Sequence, residues 1–278
     1  MESFNLTYRS STIYYQKAGQ GGKLLFCFHG YDESSASFDF LEEALRDSYI
    51  LISIDLPFHG KTVWNEKTRF RPEDLLQIIE GILKEQHVKH PKIQLAGYSM
   101  GGRLALSLIE LIPERIEKVF LFSPDGLVMN GWYWLATHNY LGNRLFKYTM
   151  HKPTWFFGTM NLMRRIGLAN RSIHKFASSS IENPEERELL YKRWTCMSPC
   201  RPNLKKIKSL IIEHEIFVEL IYGRFDRIIL YSRGEAFREG IESNSRLTLL
   251  DEGHQLLKAK WLNSILPLFD RSLNPSNH

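Results

Sequence analysis

Short apolar runs alternate with stretches of helical periodicity along much of this chain. Residues 11–15 and 23–28 have the β-branched and aromatic density of strands, and 49–54 repeats it. Residues 34–46 follow a helical spacing, and Pro72-Glu73-Asp74 opens another helix. There the proline takes the first helical position and the acids meet the unsatisfied N–H groups of the first turn. Residues 92–96 read as a buried strand of a parallel sheet. From 102 to 112, Leu104, Leu108 and Leu111 recur at helical spacing with Ala105, Ile109 and Ile112 beside them, until Pro113 stops the pattern. Further apolar runs lie at 118–122, 217–222 and 247–250. This strand–helix rhythm predicts the α/β class, with a mostly parallel central sheet flanked by helices and ligands above the carboxyl ends of its strands.

The rhythm breaks after Ser123-Pro124-Asp125. Residues 126–202 contain no convincing strand, and aromatic residues crowd in, among them Trp132, Tyr133, Trp134, Tyr140, Phe146, Tyr148, Trp155, Phe156 and Phe157. Helical spacing interrupted at Gly142, Pro153, Gly158, Gly167 and Pro184 predicts several short helices, with most of the aromatics forming their own core. The expected organisation is therefore a core built from 1–125 and 203–278 and a helical insertion at 126–202. Charge separates the two. Residues 126–205 hold twelve basic residues, including Arg164, Arg165, Arg171 and Lys175, against four acidic ones, a net +8 where the whole chain carries +5. Such a surface could steer an anionic substrate or touch an acidic lipid face, but the simpler expectation is a solvated helical surface that happens to be basic. With no nucleic-acid module in the sequence, nucleic acid is not an expected partner.

The string Gly97-Tyr98-Ser99-Met100-Gly101 sits between the run at 92–96 and the helix from 102. A serine on a tight strand-to-helix turn is held in a strained backbone conformation with its hydroxyl above the sheet. Glycines two residues either side avoid Cβ collisions, and the helix that follows aims free N–H groups at any oxyanion formed nearby. A serine hydroxyl is a poor nucleophile without a base, and the base needs an acid to orient it. Downstream, Gly223-Arg224-Phe225-Asp226 follows the run at 217–222, and Asp251-Glu252-Gly253-His254 follows that at 247–250. A carboxylate and a histidine thus each occupy a loop after a strand, in the order serine, acid, histidine.

Phe28-His29-Gly30-Tyr31, the string from Asp55 to Thr62, the serine turn, Gly223-Arg224-Phe225-Asp226 and Gly253-His254 jointly resemble the α/β-hydrolase superfamily over nearly the whole chain outside the insertion. The resemblance implies the α/β-hydrolase fold with a helical cap (lid) at the insertion, Ser99 as nucleophile, His254 as general base and acid, and Asp226 as orienting carboxylate. It further implies an oxyanion hole from the backbone N–H groups of Tyr31 and Met100, with Tyr98 and Arg103 as candidate substrate contacts. Two departures stand out: Phe58 replaces a usual glycine, and Ile229-Leu230 replaces the usual proline after the acid loop. The expected activity is that of a serine hydrolase cleaving a carboxylic ester or related acyl compound, a small-molecule substrate, with no cofactor.

Rivals remain. Asp125 competes for the acid, since some superfamily members draw it from that position. His59 precedes the serine and reads as a loop histidine, while His29 shapes the oxyanion loop; His138, His151 and His174 read as surface residues. Gly97 through Arg103 is also similar to the menaquinone-pathway lyase of the superfamily, which eliminates pyruvate using the same triad as a base. A non-catalytic binding protein on this scaffold is a third reading, opposed by the presence of all three triad residue types.

Bulk properties narrow the setting. No 18-residue apolar run marks a membrane span, and the first residues lack the basic start and apolar stretch of a secretory signal. Three cysteines without framework spacing fit a reducing cytoplasm, with Cys27 a small buried apolar residue. Cys196 and Cys200 lack partners at zinc-site spacing, so no metal is expected.

Overall fold

The computed structural model describes residues 1–89, 92–129, 131–165 and 183–270. Gly167, Arg171, His174 and Lys175, named above, lie outside them. Eight strands form one sheet in the order β1-β2-β4-β3-β5-β6-β7-β8. They are β1 (Glu2–Tyr8), β2 (Ser11–Ala18), β3 (Lys23–Phe28), β4 (Tyr49–Ile54), β5 (Ile93–Tyr98), β6 (Ile116–Phe122), β7 (Phe217–Gly223) and β8 (Ser245–Leu250). β1 and β2 are antiparallel to their neighbours, and from β4 to β8 every pairing is parallel. The parallel strands are apolar runs because helices cover both faces of such a sheet; every residue of β5 is buried.

Two elements differ from the sequence expectation. β1 is an additional strand. It alternates exposed and buried residues, with Leu6 and Tyr8 turned inward, and a two-residue turn joins it to β2. Arg9 in that turn takes φ 51°, the left-handed twist that a tight hairpin requires. The helix expected at 34–46 is a 3-10 turn, Ser35–Leu41, running into a single α turn, α1 (Glu42–Leu45). Ser35, Phe38 and Leu41 are buried three residues apart, on one face of the 3-10 turn.

Helix α2 (Pro72–Glu85) starts at its proline, and the Asp74 carboxylate accepts from the Arg71 N–H at 2.9 Å across the first turn. Helix α3 (Met100–Leu111) follows β5 after a single residue, Ser99. That abrupt reversal depends on close backbone approach. A Cβ on Gly101 would be driven into the Phe28 carbonyl oxygen at the end of β3, and one on Gly97 would come within 2.6 Å of the Gly101 carbonyl oxygen.

The chain divides into two compact units, Met1–Val128 with Cys200–His278, and Met129–Pro199. The second contains α4 (Gly131–His138), α5 (Tyr140–His151), α6 (Thr154–Arg165) and a helix at Pro184–Cys196. Asn139 and Asn183 cap two of these by accepting the N–H groups of Gly142 and Glu185. Gly142 and Gly158 were expected to break helices but lie inside α5 and α6. A glycine costs a helix only about 1 kcal/mol, and Gly142 brings α5 against the Leu135 carbonyl. Phe146 packs at 5.5 Å on Tyr191 and 5.6 Å on Trp194, which meets Tyr133 at 5.4 Å, forming this unit's aromatic core.

Among the described residues no helix is long and apolar enough to cross a membrane, and no group of three or more His, Cys, Asp or Glu side chains could hold a metal ion. Cys27, Cys196 and Cys200 are buried and form no disulfide with one another, and burial pushes the Cys27 thiol up to about 12, leaving it protonated and inert.

Gly101→Ala should lower the unfolding free energy by about 2–3 kcal/mol through overpacking against Phe28. Gly22→Ala, which meets open space, should stay within about 0.5 kcal/mol of wild type. Urea unfolding followed by tryptophan fluorescence compares the two, and equal midpoints would contradict the tight contact.

Candidate active site

Ser99 occupies the single position between β5 and α3 with φ 49° and ψ −113°, a conformation costly for any residue with a Cβ. Three backbone hydrogen bonds hold it there: its N–H donates to the Phe122 carbonyl (2.9 Å), and its carbonyl accepts from Gly102 (3.0 Å) and Asp125 (2.8 Å). The half-buried hydroxyl stands where helix α3 begins.

The His254 imidazole approaches from the loop after β8. Its Nδ1 lies 2.7 Å from Asp226 Oδ2 and its Nε2 lies 3.2 Å from Ser99 Oγ. An ionised carboxylate only accepts hydrogen bonds, so Nδ1 carries the proton and Nε2 accepts from the serine hydroxyl. The other Asp226 oxygen accepts from the N–H groups of Ile228 (2.8 Å) and Ile229 (3.0 Å). Burial opposes charge on Asp226 more than any other single influence. The hydrogen bonds from His254, Ile229 and Ile228 together outweigh it and hold the carboxyl below its ordinary range. A proline at 229, close to the family pattern, would remove one of those donors.

Backbone contacts splice the acid and histidine loops together. Arg224 N–H donates to Leu250 (2.8 Å) and Phe225 N–H to Glu252 (2.9 Å), and a Cβ on Gly223 would collide with the Gly253 carbonyl. Outside the splice, Arg224 Nε pairs with Asp251 at 2.8 Å.

The remaining sequence candidates have definite places. Met100 is the first residue of α3 and Tyr31 follows the end of β3, the parallel neighbour of β5. Both amides therefore sit at carboxyl ends of adjacent strands. Tyr98 is buried, its hydroxyl donates to the His254 carbonyl (3.0 Å) and its ring lies 5.3 Å from the imidazole. Arg103 is buried in an ion pair with Asp125, whose second oxygen accepts from Gly126 N–H at 2.7 Å. The structure thus places Tyr98 and Arg103 in support of the loops, and Asp226 rather than Asp125 on the histidine.

Two histidines serve as loop braces. Leu56 N–H donates to His29 Nε2 (3.0 Å) and His29 Nδ1 bonds the Gly30 carbonyl (2.7 Å), so the ring is neutral. His59 is buried with Nδ1 on the Pro57 carbonyl (2.8 Å), its ring 5.1 Å from that of His29. Phe58 takes φ 62°, the left-handed conformation that explains the glycine usual at that position.

Sequence reading missed Glu33. This half-buried carboxylate accepts from Ser37 Oγ (3.0 Å) and Gly30 N–H (3.4 Å). Burial raises its pKa, while the hydrogen bonds from Ser37 and Gly30 and the nearby His254 imidazole hold back part of the rise. No local motif advertises it, because the contact depends on the turn between residues 30 and 33.

The α/β hydrolase fold family model matches residues 23–257, and the chain belongs to that family. It is 25% identical over 253 residues to the "Uncharacterized hydrolase YugF" of Bacillus subtilis (strain 168), covering 87% of each chain. A shorter similarity, 37% over 131 residues, covers 44% of this chain and 45% of the "Putative 2-succinyl-6-hydroxy-2,4-cyclohexadiene-1-carboxylate synthase" of the same organism. Among solved structures, a thermophilic esterase from Thermogutta terrifontis with malate bound superposes with a TM-score of 0.66 at 17% identity, covering 97% of each chain.

The two carboxylates should oppose each other in pH dependence. Unfolded aspartate titrates near about 3.9, so the stability from Asp226 is complete above that and lost as pH falls through its lower folded value. Asp226→Asn should therefore melt below wild type at neutral pH, with the deficit closing toward about pH 3. Glu33, raised in the folded state, favours folding when protonated and loses that contribution as pH rises, so Glu33→Gln should gain on wild type between about pH 4 and pH 8. Calorimetry across that range reads both, and gaps that stay constant with pH would contradict the assigned directions.

Proposed function

We propose that this protein is a serine hydrolase that cleaves a carboxylic ester or related acyl compound through an acyl-enzyme. One observation carries the reading: the hydrogen-bonded line from Ser99 Oγ through the His254 imidazole to Asp226. In this mechanism Ser99 Oγ attacks the carbonyl carbon as His254 Nε2 takes its proton. The N–H groups of Met100 and Tyr31 hold the tetrahedral oxyanion, each donor being worth about 10²–10³-fold in rate in such sites. The imidazolium, steadied by the Asp226 carboxylate, returns the proton to the leaving alkoxide. Water activated by the same imidazole then releases the acid and restores Ser99. Side chains and backbone supply all of this chemistry, with no cofactor or metal. The helical unit takes the role of cap, from its insertion after β6, and three cysteines outside any disulfide suit the cytoplasm.

A lyase acting through the same base is the second reading. It rests on the partial similarity to the synthase named above and on a carboxylated substrate meeting Arg103. The Arg103–Asp125 ion pair weighs against that contact, because the guanidinium is already neutralised.

A fluorophosphonate probe should label wild type and leave Ser99→Ala unmarked, with Ser99→Ala turning over p-nitrophenyl esters about 10⁴- to 10⁶-fold more slowly. Equal resistance of both to the probe would end the hydrolase reading. Asp226→Asn should abolish most turnover while Asp125→Asn spares it, and the reverse pattern would move the acid to residue 125. Pyruvate release from the menaquinone-pathway intermediate, followed optically, would select the lyase instead.

A further inference from the structure

Glu33 lies outside the triad, yet it is tied to both loops that the mechanism needs. Tyr31 and Asp32 form the turn between Gly30 and Glu33, with Asp32 at φ 61°, the left-handed conformation that aspartate tolerates better than most residues. The Glu33 side chain folds back over this turn. One of its oxygens, Oε2, accepts both from Gly30 N–H ahead of the turn (3.4 Å) and from Ser37 Oγ in the 3-10 segment behind it (3.0 Å). Gly30 also abuts the Tyr98 ring, since a Cβ there would fall 2.8 Å from two ring carbons. Tyr98 in turn holds the His254 carbonyl. The carboxylate, the oxyanion loop and the histidine loop are therefore joined by consecutive contacts.

We propose that Glu33 is a positioning residue for the hydrolytic reaction: its carboxylate holds the Gly30 N–H, and with it the His29–Gly30 peptide, so that the next N–H along the chain, that of Tyr31, points at the developing oxyanion. The inference rests on the acyl-enzyme reading given above. An acceptor oxygen folded back over the turn, held from both sides of it, fixes the geometry of a loop that the mechanism needs. A donor that meets the oxyanion only in the transition state alters kcat rather than substrate binding.

The test compares wild type, Glu33→Ala and Glu33→Gln on p-nitrophenyl butyrate, with active sites counted by fluorophosphonate labelling so that misfolded protein is left out. Glu33→Ala should lose about 10- to 100-fold in kcat per labelled site with KM within about twofold. Glu33→Gln, which keeps an acceptor oxygen in place, should recover to within about threefold of wild type. The inference is overturned if Glu33→Ala keeps its kcat per labelled site, if KM rises in step with the loss of kcat, or if Glu33→Gln falls as far as alanine. Wild type that neither labels nor turns over would instead remove the hydrolase reading itself, a result distinct from any of these.

Discussion

The close passage of α3 across the end of β3 is the constraint on which the rest of the site depends. Gly101 lies against the Phe28 carbonyl so tightly that no side-chain carbon fits between them. That contact lets β5 reverse into α3 within one residue, forcing Ser99 into its left-handed conformation. It also brings the N-terminus of α3 beside the loop after β3. The strained serine, the helix N–H groups and the Tyr31 amide are consequences of one backbone approach, not three separate arrangements.

Around this point the sheet supplies order and the loops supply chemistry. Parallel strands β3, β5, β7 and β8 end on the same side, so the residues that follow them gather there, and Ser99 meets His254 although they are 155 positions apart in sequence. The loops are held by polar groups outside the triad. His29 is locked neutral between two backbone groups. Asp55 accepts from the N–H groups of Ser35 (2.6 Å) and Lys61 (2.7 Å), binding the second motif of the sequence into loop architecture. The Arg103–Asp125 pair likewise spends a conspicuous carboxylate on structure.

Much of the fold was legible because buried parallel strands are continuous apolar runs, and because the serine turn is spelled out within five residues. β1 was less legible, since its alternation is that of a half-covered strand at the edge of the sheet. The stretch from Ser35 shows apolar spacing common to 3-10 and α-helix, and hydrogen bonding rather than composition decides between them. Within the site, residue types announced a serine, a histidine and two possible acids. Which acid faces the imidazole depends on pairings such as Arg103 with Asp125, which spacing does not reveal. Tyr98 was marked as a candidate substrate contact, but its hydroxyl reaches a carbonyl distant in sequence, and the Glu33 carboxylate is folded back by a turn, so nothing local marked those contacts.

The splice between the loops that follow β7 and β8 has a mechanical meaning. With Arg224 and Phe225 hydrogen-bonded to Leu250 and Glu252, and Gly223 pressed on Gly253, a thermal displacement of either segment drags its neighbour along. Imidazole and carboxylate thus travel as a single rigid tool, and the adjustable gap in the device is the one facing the alcohol.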